Sequence, residues 1–103
     1  MSIMFIKSAK LSYHIPQSVS LKDKRQVRRS IIEKTRQRFN VSIAEVDTQD
    51  KLQILTIGIV VVSGDATHAN NSLDEIIHYM ETHTDAELIE VITDNCLPLP
   101  SPR

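Results

Sequence analysis

The sequence predicts an α+β domain built on a single sheet, and three observations lead to this prediction. Apolar and polar residues alternate near the start of the chain, as they do in a half-buried strand. Two later segments repeat their apolar residues every three or four positions, which is typical of amphipathic helices. The chain has 103 residues, of which 41% are hydrophobic and 24% charged, so it is long enough for one domain with one core.

The first strand is predicted over residues 1–15. Side chains that face the core alternate with polar ones: Ile3, Phe5, Ala9, Leu11, Tyr13 and Ile15. Pro16 ends the strand because it has no backbone N–H to donate to a neighbouring strand.

The first helix is predicted over residues 21–39. Ser20 fits the N-cap position, and Asp23 lies near the positive end of the helix dipole. A buried stripe, with Ile32 beside it, recurs every four residues: Val27, Ile31, Thr35 and Phe39. Asn40 ends the helix.

Two strands, a second helix and a last strand complete the prediction. Residues 41–47 form a short segment with β-branched residues, which predicts a strand, and a polar turn separates it from residues 52–63. The nearly continuous apolar run over 52–63 indicates a central strand that is covered on both faces. A second helix follows Gly64 and directs these residues to the core: Ala69, Leu73, Ile76, Ile77 and Met80. The last strand is predicted over residues 86–93.

The order βαββαβ is that of a ferredoxin-like fold, with two helices on one face of a four-stranded antiparallel sheet. Right-handed crossovers place the first and third strands in the centre of the sheet. We expect one such domain over residues 1–95, followed by a proline-rich tail over residues 96–103.

Composition argues against several classes of protein. The 12 Lys and Arg against 13 Asp and Glu give a net charge of −1, which does not indicate a general polyanion binder. Cys96 is the only cysteine, so no internal disulfide forms, as expected in a reducing cytosol. The longest apolar run, over residues 59–62, is far too short to span a bilayer, and no secretory signal is recognisable. We therefore expect a cytoplasmic protein with no membrane partner.

Charge is nevertheless segregated along the chain. Residues 22–38 contain eight Lys and Arg against two acidic residues, a net charge of +6, and the remainder of the chain carries −7. Clustered cations on a rigid helix are typical of a footprint for RNA phosphates. The candidate nucleic-acid-binding residues are Lys22, Lys24, Arg25, Arg28, Arg29 and Arg36. The alternative is a solvated helix face whose charges pair with acids elsewhere.

These six residues fall into two groups around the helix, which turns about 100° per residue. One group forms a stripe that flanks the buried face: Lys22, Arg25, Arg29 and Arg36. The other group, Lys24 and Arg28, falls within the apolar arc, and we expect these long side chains to reach past the edge of the sheet.

Glu45 and Asp47 are the strongest candidates for chemistry. They lie two residues apart on a predicted strand, on one face and about 6.6 Å from each other. Such a pair suits a hard metal ion or acid–base catalysis, and an ordinary polar strand end has the same pattern. The four histidines lack metal-ligand spacing, and residues 52–63 contain no aromatic side chain on which bases could stack. We expect no enzyme, no metal and no cofactor.

Several motifs resemble those of the YlxP-like family of bacterial proteins of unknown function. Two segments match this family most closely, Ser-Leu-Lys-Asp-Lys-Arg at residues 20–25 and Arg-Phe-Asn-Val-Ser-Ile-Ala-Glu-Val-Asp at residues 38–47. Residues 11–16 and the Val-Ser pair at 62–63 fit as well, so the resemblance covers about residues 3–94. It implies a ferredoxin-like fold and offers no catalytic residues. Members tend to be encoded near translation-initiation and ribosome-maturation factors, which implies an association with RNA or the ribosome.

From the sequence we favour a non-enzymatic module that binds RNA or a ribosomal particle through the first helix. The alternative is a homo-oligomeric interaction domain with no role in nucleic-acid binding. The sheet face away from the helices supports self-association, because its apolar side chains would form a patch: Met4, Ile6, Ile54, Val60 and Val62. A homodimer would cover this patch, as would the tail if Leu97 and Leu99 folded over it.

Overall fold

The computed structural model describes residues 3–94. The elements are β1 (Phe5–His14), α1 (Leu21–Arg38), β2 (Ser42–Glu45), β3 (Ile54–Ser63), α2 (Ala66–Thr82) and β4 (Glu87–Asp94). The strands form one antiparallel sheet in the order β2-β3-β1-β4. The predicted ferredoxin-like fold is confirmed, with the first and third strands in the centre. The predicted tail, residues 96–103, lies outside the described residues.

Alternation along β1 and β3 places the core on one face of the sheet. Leu11 pairs with Ile57, and Tyr13 pairs with Leu55, in the antiparallel register of these strands. All four side chains are fully buried because both helices cover this face. The predicted inward parity of the first strand is confirmed.

Capping residues set the starts of both helices. The backbone N–H of Asp23 donates to the Ser20 hydroxyl at 3.1 Å, and the Asp23 carboxylate accepts from the N–H of Val19 at 3.0 Å. The carboxylate of Asp65 accepts from the N–H of Thr67 at 2.9 Å at the start of α2. These contacts satisfy N–H groups that have no partner within a helix, and the predicted N-cap at Ser20 is confirmed.

One buried hydrogen bond joins α2 to the sheet. The Tyr13 hydroxyl donates to the backbone oxygen of Met80 at 2.9 Å, inside the core. Burial raises the pKa of the Tyr13 phenol, because the charged form would lose its solvation. Tyr13 therefore fixes the C-terminal part of α2 over β1.

The strand β2 ends earlier than predicted, at Glu45, because the chain folds onto the outer face of the sheet. Asp47 has a φ of 59°, in the left-handed region. The hydroxyl of Thr48 donates to the hydroxyl of Thr56 at 2.9 Å, and Thr56 is only 2% exposed although it points away from the helices. The β2–β3 loop therefore covers one end of this face.

The other end of the outer face stays open in the described part of the chain. Val60 is 41% exposed and Val62 is 62% exposed. The prediction that the central strand is covered on both faces is therefore wrong for this half of β3, because neither helix and no described loop reaches it. None of the helices in residues 3–94 is long and apolar enough to cross a membrane.

Candidate nucleic-acid interface

Four of the exposed cations of α1 lie along one flank of the helix, and we call them the basic stripe: Lys22, Arg25, Arg29 and Arg36. The first and last members of the stripe are 14 positions apart, which is about 21 Å along the helix axis. The ion pairs among residues 3–94 join Lys10 to Asp47 and both Lys24 and Arg28 to Glu45. No member of the basic stripe takes part in them.

Arg36 is the one member of the stripe with a fixed contact to the sheet. Its guanidinium Nη2 donates to the backbone oxygen of Ile43 at 3.2 Å. That oxygen belongs to β2, an edge strand. The guanidinium has further N–H groups besides the one used here, so Arg36 is positioned beside β2 while most of its donors stay available.

Lys24 differs from its neighbours because it is buried, with 3% of its surface exposed. Its ammonium donates to the backbone oxygens of Thr48 at 2.5 Å and Lys51 at 2.7 Å, and lies 3.0 Å from the Glu45 carboxylate. We expected this side chain to reach past the sheet edge to phosphates. Instead it holds the β2–β3 loop against α1, and its charge is used within the protein.

Arg28 has an intermediate position. Its Nη1 lies 3.2 Å from Oε1 of Glu45, and 35% of its side chain is exposed. Arg28 and Lys24 thus share one carboxylate, which is itself only 10% exposed. The exposed part of Arg28 adjoins the basic stripe, but its charge is partly balanced.

Glu45 and Asp47 do not face each other, which corrects the predicted pair. Glu45 lies opposite Ile57 in the register, on the helix side of the sheet. The left-handed backbone at Asp47 turns that carboxylate to the opposite face, where it accepts from the Lys10 ammonium at 2.6 Å. This hydrogen bond raises the pKa of Lys10. Within residues 3–94, no group of three or more His, Cys, Asp or Glu is placed to hold a metal ion.

A cluster of rings that sequence reasoning missed joins the C-terminal parts of the two helices. The rings of Tyr79 and His83 stack with centroids 3.9 Å apart and planes 18° apart. Phe39 meets Tyr79 edge-on at 5.3 Å, and the Arg38 guanidinium lies 5.3 Å from the Tyr79 centroid. The spacing of four residues between Tyr79 and His83 was a usable signal on a helix. The contact with Phe39 joins residues too distant in sequence for such a signal.

His83 borders a cleft of about 460 Å³ between α1 and the α2–β4 turn. The polar lining residues are Gln17 before α1, Gln26, Ser30 and Lys34 on α1, Thr82 at the end of α2, and His83, Thr84 and Asp85 on the turn. The cleft lies on the side of α1 that faces α2, whereas the basic stripe lies on the side that faces β2.

The chain is similar to known proteins over most of its length. The model of a family described as a protein of unknown function, DUF503, matches residues 6–93. The uncharacterized protein YlxP of Bacillus subtilis (strain 168) is 32% identical over 68 residues, which cover 66% of this chain and 74% of that protein. Both findings agree with the resemblance that the sequence motifs indicated.

Proposed function

The chain belongs to the DUF503 family, and we propose that it is a non-enzymatic cytosolic module that binds RNA, free or on the ribosome, through α1. The observation that supports this most is the basic stripe, in which four exposed cations have no acidic partner among residues 3–94. The family's tendency to be encoded near translation factors agrees with it.

The alternative origin of a basic helix face is a set of surface ion pairs. In that case the arginines of α1 would lie close to acidic side chains, as Arg28 does to Glu45. The acids of the chain lie mostly elsewhere, since residues 65–94 contain eight Asp and Glu and no Lys or Arg. Nearby acids therefore do not neutralise the positive electrostatic potential of the basic stripe, and this potential favours binding of a polyanion.

The contacts that we propose are with phosphates and not with base edges. Lys22, Arg25, Arg29 and Arg36 each neutralise one phosphate along about 21 Å of α1, and each releases condensed counterions on binding. Arg28 adds a weaker contact because Glu45 balances part of its charge. Lys24 is left out of the interface because its ammonium is buried.

The test compares two double charge reversals. We expect Arg25→Glu with Arg29→Glu to weaken binding of short single-stranded RNA at least tenfold, by a similar factor for unrelated sequences. Fluorescence anisotropy measures this, and Lys7→Glu with Lys51→Glu is the control because it changes the net charge equally and neither residue belongs to α1. Equal affinities for the two double variants would refute the interface, as would a wild-type protein that binds no RNA at low salt.

A second candidate function, self-association, is favoured by the outer face of the sheet. Met4, Val60, Val62 and Ile92 are between 41% and 63% exposed there. The charged side chains of this face include Lys10 and Asp47, which pair with each other, and Glu90, which lies close enough to Lys10 to help raise its pKa. We propose a second copy as the partner, in the two-fold arrangement that is commonest for homodimers.

Light scattering at tens of micromolar tests the dimer. We expect a dimeric mass that Val60→Asp reduces to a monomeric one, because the variant buries an unpaired carboxylate. Val19→Asp is the control, since Val19 is 76% exposed in the loop before α1. A monomeric wild type contradicts the dimer. If the full chain is a monomer and associates only after residues 96–103 are removed, the tail and not a second copy covers the apolar patch.

A further inference from the structure

The ring of His83 offers one free flat face at the mouth of the cleft. Tyr79 covers the other face, with ring centroids 3.9 Å apart and nearly parallel planes. His83 is exposed and lines the cleft. A planar ring with one covered face and one open face is the kind of platform on which unpaired bases stack.

The His83 ring is held in place without a ligand. Its Nδ1 lies 3.0 Å from the backbone oxygen of Tyr79 and 3.0 Å from the hydroxyl of Thr82, so one edge of the ring is anchored to the end of α2. Tyr79 is held in turn by the edge of Phe39 and by the guanidinium of Arg38. A platform that is ordered beforehand loses little conformational freedom when a flat ligand binds.

The rest of the cleft offers both donors and acceptors. Gln26 and Ser30 on α1 contribute an amide and a hydroxyl, and Asp85 on the turn contributes a carboxylate. Such mixed polar groups can pair with the edge of a base, which itself presents donors and acceptors. The volume of about 460 Å³ falls within the range of small-molecule pockets.

The cleft and the basic stripe lie on opposite flanks of the same helix. Arg25 and Arg29 each precede a cleft residue, Gln26 and Ser30, by one position. Successive residues are about 100° apart on a helix about 10 Å across. A strand that follows the exposed ridge of α1 can therefore place phosphates on the stripe and turn a base towards the cleft, where Lys34 adds a cation.

We propose that this cleft holds one unpaired nucleobase of the bound RNA, stacked on the free face of His83. The inference rests on the proposed function, because it assumes the RNA whose phosphates contact the basic stripe. It adds that the protein prefers single-stranded RNA to duplex RNA, whose bases are already stacked on each other.

The test uses two probes of equal length, a single-stranded adenosine oligomer and an abasic ribose-phosphate oligomer. We expect His83→Ala to weaken binding of the adenosine oligomer about tenfold and to leave the abasic oligomer unchanged. His83→Phe keeps a flat ring and should stay within about twofold of wild type. His78→Ala, which replaces an exposed histidine on α2, is the control and should change neither affinity.

The outcomes separate this inference from the proposed function. If the wild type binds neither oligomer, the RNA function itself is refuted. If it binds both oligomers equally well and His83→Ala changes nothing, the base site is refuted and the phosphate interface stands.

A measurement without variants adds a check on the folded wild type. On titration with adenosine monophosphate, the NMR signals of the His83 ring should shift, and those of His14 and His68 should not. The absence of any shift at millimolar nucleotide contradicts the base site.

Discussion

The two helices of this protein pack on the same face of the sheet but present opposite charges to solvent. Residues 22–38, which make up most of α1, carry a net charge of +6. Residues 65–94, which include α2 and β4, contain eight acidic residues and no Lys or Arg. The net charge of −1 therefore hides a dipolar molecule, and its interaction properties follow from the distribution of charge.

The helices also differ in how each is tied to the rest of the protein. A charged contact ties α1, because the buried Lys24 bonds to the β2–β3 loop and pairs with Glu45. A neutral contact ties α2, because Tyr13 donates to the backbone oxygen of Met80. Breaking a buried charged contact leaves a charge without its partner, which costs more than losing a neutral hydrogen bond.

The largest expected effect comes from removing the charged contact of Lys24. Lys24→Met leaves the carboxylate of Glu45 with Arg28 alone, removes the ammonium donor from the backbone oxygen of Lys51, and leaves that of Thr48 with only the N–H of Lys51. We expect a loss of about 3 kcal/mol in the free energy of unfolding, or roughly 15 °C in Tm. Urea denaturation measures it, with Lys22→Met as the matched control at an exposed position. A loss no greater than that of the control would show that Lys24 does not hold the loop.

A smaller loss of stability is expected when the neutral hydrogen bond of Tyr13 is removed. Tyr13→Phe deletes the hydrogen bond to Met80 and should cost about 1–2 kcal/mol. Because the pKa of Tyr13 is raised in the folded state, only the unfolded chain loses this proton near pH 10, so wild-type stability falls as the pH rises through that range. Tyr13→Phe should lack the loss of stability that the Tyr13 phenol causes above about pH 10. The control is Tyr79→Phe, and equal pH dependence of the two variants would contradict the assignment.

The smallest effect concerns the acidic half of the molecule. Glu75→Gln with Glu81→Gln removes two exposed charges from α2 and should raise RNA affinity about twofold at low salt, since repulsion of phosphates decreases. The gain should vanish at about 0.5 M salt because of screening. Anisotropy at both salt concentrations measures it, with Asn71→Gln as the control. A gain that persists at high salt would indicate direct contact of α2 with RNA.

The fold could be predicted from the sequence because its signals are local. The alternation before Pro16 and the cap at Ser20 each lie within a few residues, and the structure confirms both. The end of β2 was predicted wrongly because the left-handed backbone at Asp47 follows from contacts of the loop with the outer face of β3.

The candidate site was less accessible to sequence reasoning. Periodicity separates Lys24, in the apolar arc of α1, from Lys22, but only the structure shows that Lys24 pairs with Glu45. The ring cluster could not be predicted for a related reason, since Phe39 and Tyr79 are 40 positions apart in the sequence. Local periodicity determines which face of a helix is buried, but it does not show which charges find partners.

The salt dependence of RNA binding tests the central claim, that the exposed cations of α1 act on phosphates. For the wild type, four contacts predict a slope of the logarithm of the binding constant against the logarithm of salt concentration of about −3, from about 0.7 for each contact with a single strand. Arg25→Gln with Arg29→Gln should reduce the slope to about −1.4, whereas Lys7→Gln with Lys51→Gln should leave it at about −3. A slope that is the same for both double variants would contradict the account.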